Sequence, residues 1–444
     1  LLVQPPHSMK PSRTPIIKNS AKPIAELPFL KGIDLRTLLP DVLGPEGGRS
    51  AIISLIELPE RQTYMTTTYE EFLDLVSTKP FLEDLLKSIK SLMEFRLNFY
   101  KDVIKRQTEL TKNTKAMVED LRTSGISQDE IERQCPGYST SSSLIALART
   151  IQHDLVTRRD TLTLRTLSDS VTKAFTDPKD GLASLRGQFE VKEFLARTLF
   201  AFSKNWKILG APFKNIALYG PPGSGKGKIA RVIGHCLYHF FIVENRVPKI
   251  VTSTDLIGSH VGKTAPRVRG NFYEGLGRVL FLDEAYQMGQ SDYGVEGLTE
   301  LVSLLDLYAP VTITIVAGYR NEMLKNFMPK NKGLHRRFPH QFSLEKYDAL
   351  ELSQMLREEM LELLPEKTLF TPEDDSLVYS LLNRTLIEDP DLFEYQVSDI
   401  KEIARDAVMS IGNDWALLDP GQKLAILEDS IEGIIRKKEA RDEV

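Results

Sequence analysis

Gly220-Pro221-Pro222-Gly223-Ser224-Gly225-Lys226 is the stretch on which the reading turns. It follows an apolar run, Asn215 to Tyr219, that reads as a strand, and precedes a proline-free run from Lys228 to Phe240 that reads as a helix. A turn whose backbone N–H groups all face inward needs residues without a Cβ, and a helix starting there adds its positive end. With Lys226 as the cation, this strand–loop–helix frame predicts a loop that cradles the β- and γ-phosphates of a nucleotide. Gly220, Pro221, Pro222, Gly223, Ser224, Gly225, Lys226, Gly227 and Lys228 are the candidate binding residues. One position departs from the pattern, because Gly227 stands where Ser or Thr would offer a hydroxyl to Mg²⁺. Mg²⁺ keeps several waters in most sites, so nucleotide binding is expected to survive and metal affinity or turnover to suffer.

A second element completes the chemistry. Val279-Leu280-Phe281-Leu282 is an apolar strand that runs into Asp283-Glu284. Asp283 is the candidate Mg²⁺ residue, and Glu284 the candidate base that polarises water for attack on a γ-phosphate. Alone, two acids after a strand read more often as a helix cap with a solvated neighbour. Beside the phosphate loop they read as a site.

From about Asp177 short apolar strands alternate with helices, at Asn215–Tyr219, Lys249–Thr252, Arg278–Leu282, Val311–Ala317 and Gln341–Leu344. That alternation predicts an α/β fold with a parallel sheet over residues 177–345. Beyond Tyr347 helical spacing returns, as in Ile400, Ile403, Ala404 and Val408, and residues 346–444 are expected to be a helical lid. Upstream, no Pro or Gly interrupts the chain between Pro80 and Gly125, and Phe81, Leu85, Ile89, Leu92, Phe95 and Phe99 recur at steps of three and four. A second stripe, Leu144, Leu147, Ile151 and Leu155, follows the Cys135-Pro136-Gly137 break. These imply a mainly helical amino-terminal domain over 51–176. Residues 1–50, with six prolines and four basic residues up to and including Pro28, read as an extended tail and linker.

The 444 residues carry 57 Lys+Arg against 61 Asp+Glu, a formal charge of −4, which argues against coating nucleic acid or anionic lipid along the whole surface. Cys135 and Cys236 lie a hundred positions apart without metal-ligand spacing, which excludes a disulfide framework and fits a reducing compartment. No run of eighteen apolar residues occurs, so no membrane span is expected. The chain is read as soluble and intracellular, with an organelle left open.

With both motifs quoted, the chain from Asp177 to its carboxyl end resembles the AAA+ ATPases. Within them, Asp255-Leu256-Ile257-Gly258-Ser259-His260-Val261-Gly262-Lys263-Thr264-Ala265-Pro266, then Leu282-Asp283-Glu284-Ala285-Tyr286 and Ala317-Gly318-Tyr319, resemble the branch of red-type Rubisco activases and stage V sporulation ATPases. The resemblance implies a P-loop NTPase core that takes ATP and Mg²⁺ and works as a homo-oligomeric ring, a hexamer, on a protein client. It places His260 in the first pore loop, where relatives carry an aromatic residue, and Tyr319 where a γ-phosphate sensor sits. Packing under the sheet is the competing role for Tyr319. Asn331-Lys332-Gly333-Leu334-His335-Arg336-Arg337-Phe338 matches the arginine-finger stretch, with Arg337 on the finger position and Arg336 as its alternate. Val397-Ser398-Asp399-Ile400-Lys401 resembles the lid motif at the adenine and ribose, which makes Ser398 and Asp399 candidates, although helix capping explains them equally.

Two other readings stand beside the motor. A nucleotide-gated structural assembly with little hydrolysis is favoured by Gly227 and His260, and opposed by Asp283, Glu284 and Arg337. A nucleic-acid motor using the basic arm at Lys10 to Lys22 ranks last, because no aromatic-interleaved basic stretch supports it.

Overall fold

The computed structural model describes residues 69–442 except 128–129, 132–133, 136, 207–213, 259–262, 310, 345, 365–369, 394 and 412–414. The proline-rich tail and the pore-loop candidate His260 therefore lie outside the described residues.

The amino-terminal part is helical: α1 Tyr69–Val76, α2 Lys79–Thr123, α3 Tyr138–Asp160, α4 Leu164–Thr176 and α5 Phe189–Asn205. Pro80 sits in the first turn of α2, where its missing N–H costs nothing, and the uninterrupted stripe behind it carries the helix for 45 residues. The stripe is buried as expected at Phe81, Leu85, Ile89 and Leu92. Phe95 is the exception, 40% exposed, with its ring 5.2 Å from that of Trp206. Thr163 and Thr166 form a reciprocal capping box at the start of α4.

The sheet is parallel, with β1 Ile216–Tyr219, β2 Lys249–Thr252, β3 Val279–Asp283, β4 Ile313–Gly318 and β5 His340–Ser343 in the order β2-β3-β4-β1-β5. Each lies within two residues of its expected position. All of β1 and β4 is buried, as strands covered on both faces require. The connections are α6 Lys226–His239, α7 Ser253–Leu256, α8 Thr264–Glu274, α9 Asp292–Leu307, α10 Arg320–Asn326 and α11 Leu334–Arg337. The lid comprises α12 Ala349–Leu363, α13 Pro372–Glu388, α14 Val397–Ile411 and α15 Pro420–Asp442. It has its own core, built around Leu356, Leu382, Ile403 and Trp415.

Most of the apolar stripe of the amino-terminal helices shares a core with the sheet, and a small cluster of Val118, Ile131 and Cys135 stands apart from it. One apolar cluster runs from Phe72 through the α2 and α3 stripes to the strands and on to Leu344. A buried polar joint reinforces it. Arg96 of α2, 1% exposed, donates to the carbonyls of Ile242 (2.5 Å) and Val311 (3.2 Å), and its Nη1 lies 2.7 Å from Glu244 Oε1. Arg158 of α3 donates to the carbonyls of Val243 and Tyr238 and stacks over the Tyr238 and Phe241 rings. Burial pushes the Glu244 carboxyl up against the opposing pull of both guanidinium groups. Two helices distant in sequence are thus fixed to the segment that joins α6 to β2.

Behind the phosphate loop, the imidazoles of His235 and His239 on α6 lie 4.4 Å apart, and His239 Nδ1 meets the Ser170 hydroxyl at 3.0 Å. Burial, then His235, lowers the His239 pKa from 6.5 to about 4. Below the unfolded value the unfolded chain binds a proton that the folded chain refuses, so stability is lost as pH falls from 6.5 towards 4. The loss is at most about 3 kcal/mol. Urea unfolding at about pH 7 and about pH 5 is expected to show it, with a smaller difference in His239→Gln protein.

Candidate functional site

The site forms at the carboxyl ends of β1, β4 and β3, which are neighbours in the sheet. Gly223 (φ +71°) and Gly225 (φ +84°) adopt the left-handed conformation that turns the chain from β1 into α6. Ser224 is fully buried, and its hydroxyl donates to the Pro221 carbonyl at 2.8 Å. The Lys226 ammonium donates to the carbonyls of Gly220 (3.0 Å) and Pro221 (2.7 Å). Burial lowers its pKa, and the carboxylates of Asp283 and Glu284 pull it back up. Lys226, Asp283 and Glu284 are therefore within electrostatic reach of one another, as the two motifs require.

Glu284 stands at φ +50°, a conformation a non-glycine residue adopts only when its surroundings hold it. Its N–H donates to Asp283 Oδ1 at 3.1 Å, and its carbonyl accepts from the Ser253 hydroxyl at 3.0 Å. Tyr286, which the sequence reading left without a role, contacts this carboxylate. Its hydroxyl is pushed up to about 12 by burial and by a hydrogen bond with Glu284. The Tyr286 ring lies 5.9 Å from that of Tyr319, and the Lys226 ammonium 5.8 Å from the Tyr319 centroid. Tyr319 thus faces the loop cation from the end of β4. Lys228 follows Lys226 by two residues in α6, with its ammonium on the Lys179 carbonyl.

The lid closes on the loop from the other side. The Tyr347 hydroxyl donates to the Ser224 carbonyl at 3.2 Å, and the Val397 N–H to the Gly223 carbonyl at 3.4 Å. Asp399, buried in the first turn of α14, accepts from the Tyr395 N–H at 2.8 Å, while Ser398 is exposed. Both stand at the α14 end that meets the loop. Three further residues gather here without a sequence motif to announce them. Gln188 contacts the Tyr347 hydroxyl, which burial pushes up to about 12. Gln396, 2% exposed, accepts the Tyr347 N–H on Oε1 at 3.2 Å, an orientation that commits its Nε2 to donate elsewhere. That Nε2 is buried and has no partner among the described residues. An unpaired buried donor beside a glycine cradle and a cation fits a nucleotide with acceptor atoms on its base and ribose.

For a metal, no group of three or more His, Cys, Asp or Glu side chains is placed to hold one among the described residues. Asp283 together with phosphate oxygens and waters fits Mg²⁺, which rarely takes an all-protein cage. A Cβ on Gly227 would meet nothing within 4 Å, so the missing hydroxyl is not excluded by space.

Arg336 and Arg337 are not at this cluster. They end α11, just before β5, whose first residue His340 pairs with Ile216 at the start of β1. The loop leaves the other end of β1, so both arginines stand at the opposite, amino-terminal end of the strands. Arg337 pairs in bidentate fashion with Asp306 of α9, and Arg336 is exposed.

Residues 216–343 match the model of the ATPase family associated with various cellular activities (AAA). Curated relatives include Protein CfxQ of Xanthobacter flavus, 31% identical over 33% of this chain and 48% of its own length. Stage V sporulation protein K of Bacillus subtilis is 33% identical over 31% of this chain and 44% of its own. The chloroplastic ribulose bisphosphate carboxylase/oxygenase activase of Cyanidioschyzon merolae is 31% identical over 35% and 55%. The chain thus spans about half the length of the curated relatives it matches. Among solved structures, a Thermotoga maritima RuvB mutant aligns at 17% identity and TM-score 0.39, over 57% of this chain and 72% of its own. No described helix is long and apolar enough to cross a membrane.

Proposed function

Because residues 216–343 form an AAA ATPase domain of the P-loop type, we propose that the chain binds ATP with Mg²⁺ and hydrolyses it as a ring of its own copies, remodelling a protein partner. The observation that carries this reading is the convergence of Lys226, Asp283 and Glu284 at the carboxyl ends of β1 and β3, the two parallel strands that flank β4.

The loop amides and Lys226 would hold the β- and γ-phosphates, and Asp283 would hold Mg²⁺ through its waters. Mg²⁺ supplies charge neutralisation between the phosphates when bound. Glu284 takes the proton of a water whose oxygen bonds the γ-phosphorus, while the bridging oxygen leaves with ADP. Tyr319 offers a hydroxyl at the end of β4, and an arginine of α11 acts on the site of the neighbouring copy. Ser398 and Asp399 orient the lid at the base and ribose. His260 grips the client in the pore; His260→Ala is expected to remove client-stimulated turnover while leaving the basal rate unchanged.

The second reading, a nucleotide-gated assembly with little hydrolysis, is favoured by Gly227. Since a side chain there meets open space, Gly227→Ser is expected to bind Mg²⁺·ATP and turn it over about tenfold better, the worth of one restored metal contact. Steady-state ATPase titrated with Mg²⁺ checks it. An unchanged Mg²⁺ requirement would mean that the metal does not approach α6.

A further inference from the structure

Tyr286 stands at the candidate site without a task. It lies two residues past Glu284 in the 3₁₀ turn Ala285–Gln290, and that turn is pinned to the core and to α10. Ala285 and Met288 are fully buried, and a Cβ on Gly289 would stand 1.4 Å from the Asn326 carbonyl oxygen at the end of α10. Just before the start of α10, a Cβ on Gly318 would stand 2.8 Å from Tyr286 Cδ1, so the ring lies directly on the main chain where β4 ends. With the ring seated there, its hydroxyl meets two side chains, Glu284 and Gln287. The Glu284 contact holds the phenol proton on and the Gln287 contact favours its loss. That is the behaviour of a hydroxyl that donates to the carboxylate and accepts from the amide NH₂.

We propose that Tyr286 is a positioning residue for Glu284, whose hydroxyl holds one carboxylate oxygen and leaves the other for the attacking water. The assignment rests on the proposed hydrolysis. A glutamate side chain has three rotatable bonds, and a base that must meet a water at hydrogen-bond distance works best when those torsions are settled beforehand. The bonds from the Glu284 N–H and carbonyl fix its main chain and leave the side-chain torsions open. The phenol on its rigid turn closes them. One hydrogen bond does not exhaust a carboxylate, which offers about four acceptor positions on two oxygens. Nor does Tyr286 take over as the acid or base, since burial and the Glu284 contact push its pKa up to about 12 and keep its proton in place. Its ring also bears on that of Tyr319, whose centroid lies 5.8 Å from the Lys226 ammonium, which ties the base to the loop cation through two aromatic rings.

The test uses the full chain and reads turnover at saturating ATP, ATP affinity by calorimetry and melting temperature. Tyr286→Phe removes only the hydroxyl and is expected to lose about tenfold in turnover, the worth of one hydrogen bond to a charged group, with affinity and melting unchanged. Gln287→Ala keeps the hydroxyl and removes the amide that orients it. It is expected to lose about threefold in the same way, and it remains a test should Tyr286→Phe protein melt lower. The deciding measurement is the double variant. A group that acts only through Glu284 has nothing left to do once that base is gone, so adding Tyr286→Phe to Glu284→Gln is expected to cost no further turnover. A residue that merely supports the fold of the site would cost the same factor in both backgrounds. Unchanged turnover in Tyr286→Phe, or equal losses with and without Glu284→Gln, overturns the assignment and leaves hydrolysis standing. No ATP turnover by the unaltered protein overturns both.

Discussion

Glu284→Gln protein is expected to bind ATP as the unaltered protein does and to lose about 10²- to 10³-fold in turnover. The substitution keeps the shape and removes only the basic oxygen. The constraints that hold residue 284 at φ +50° are backbone ones: its N–H on Asp283 and its carbonyl on the Ser253 hydroxyl. Neither depends on the side chain. The Tyr286 hydroxyl retains an acceptor in the amide oxygen, so the aromatic pair beside Lys226 has no reason to rearrange. A drop in rate without a drop in affinity therefore isolates proton removal from the attacking water. Steady-state ATPase and calorimetry on the same preparations decide it. Equal rates would defeat the motor and leave the nucleotide-gated assembly, in which Glu284 is held for the shape of the β3 end alone.

The parts of this molecule legible in its sequence are those whose physics is local. The phosphate loop was readable because a buried strand, left-handed turns at Gly223 and Gly225 and a helix start follow each other between Ile216 and Lys226. Asp283 and Glu284 were readable because an apolar strand has few reasons to end in two acids. The α2 stripe gave its helix within two residues at each end. What the stripe could not show is where it docks. Arg96 looks like a solvated charge between core positions, and only the fold brings it to Glu244 and the Ile242 carbonyl. The same limit hid Tyr347, Gln188 and Gln396, three residues from distant segments that meet at the loop. The difference between Arg336 and Arg337 was hidden for a related reason, since their identical chemistry is separated only by Asp306 on another helix.

Gly223→Ala is expected to weaken ATP binding by at least about 100-fold and to lower the melting temperature, through two effects that act at one atom. A side chain at φ +71° carries a backbone penalty of about 1–2 kcal/mol. The added Cβ would also stand 1.7 Å from the Tyr395 carbonyl oxygen and 2.5 Å from its carbon, which are main-chain atoms that no rotamer change can move. Either the lid segment 395–397 withdraws, breaking the Val397 N–H contact with the Gly223 carbonyl, or the loop deforms and its amides no longer converge. Gly227→Ala, one turn further on, is the matched control, since its Cβ meets nothing within 4 Å and alanine suits a helix better than glycine. Calorimetry separates the two outcomes of the clash. If the lid yields, the loop still binds inorganic triphosphate and loses its preference for the full nucleotide, because the Gln396 donor leaves with the lid. If the loop yields, both ligands are lost together. Unchanged ATP affinity in Gly223→Ala would mean that nucleotide binds away from this loop, and the readings of Lys226, Asp283 and Glu284 would fall with it.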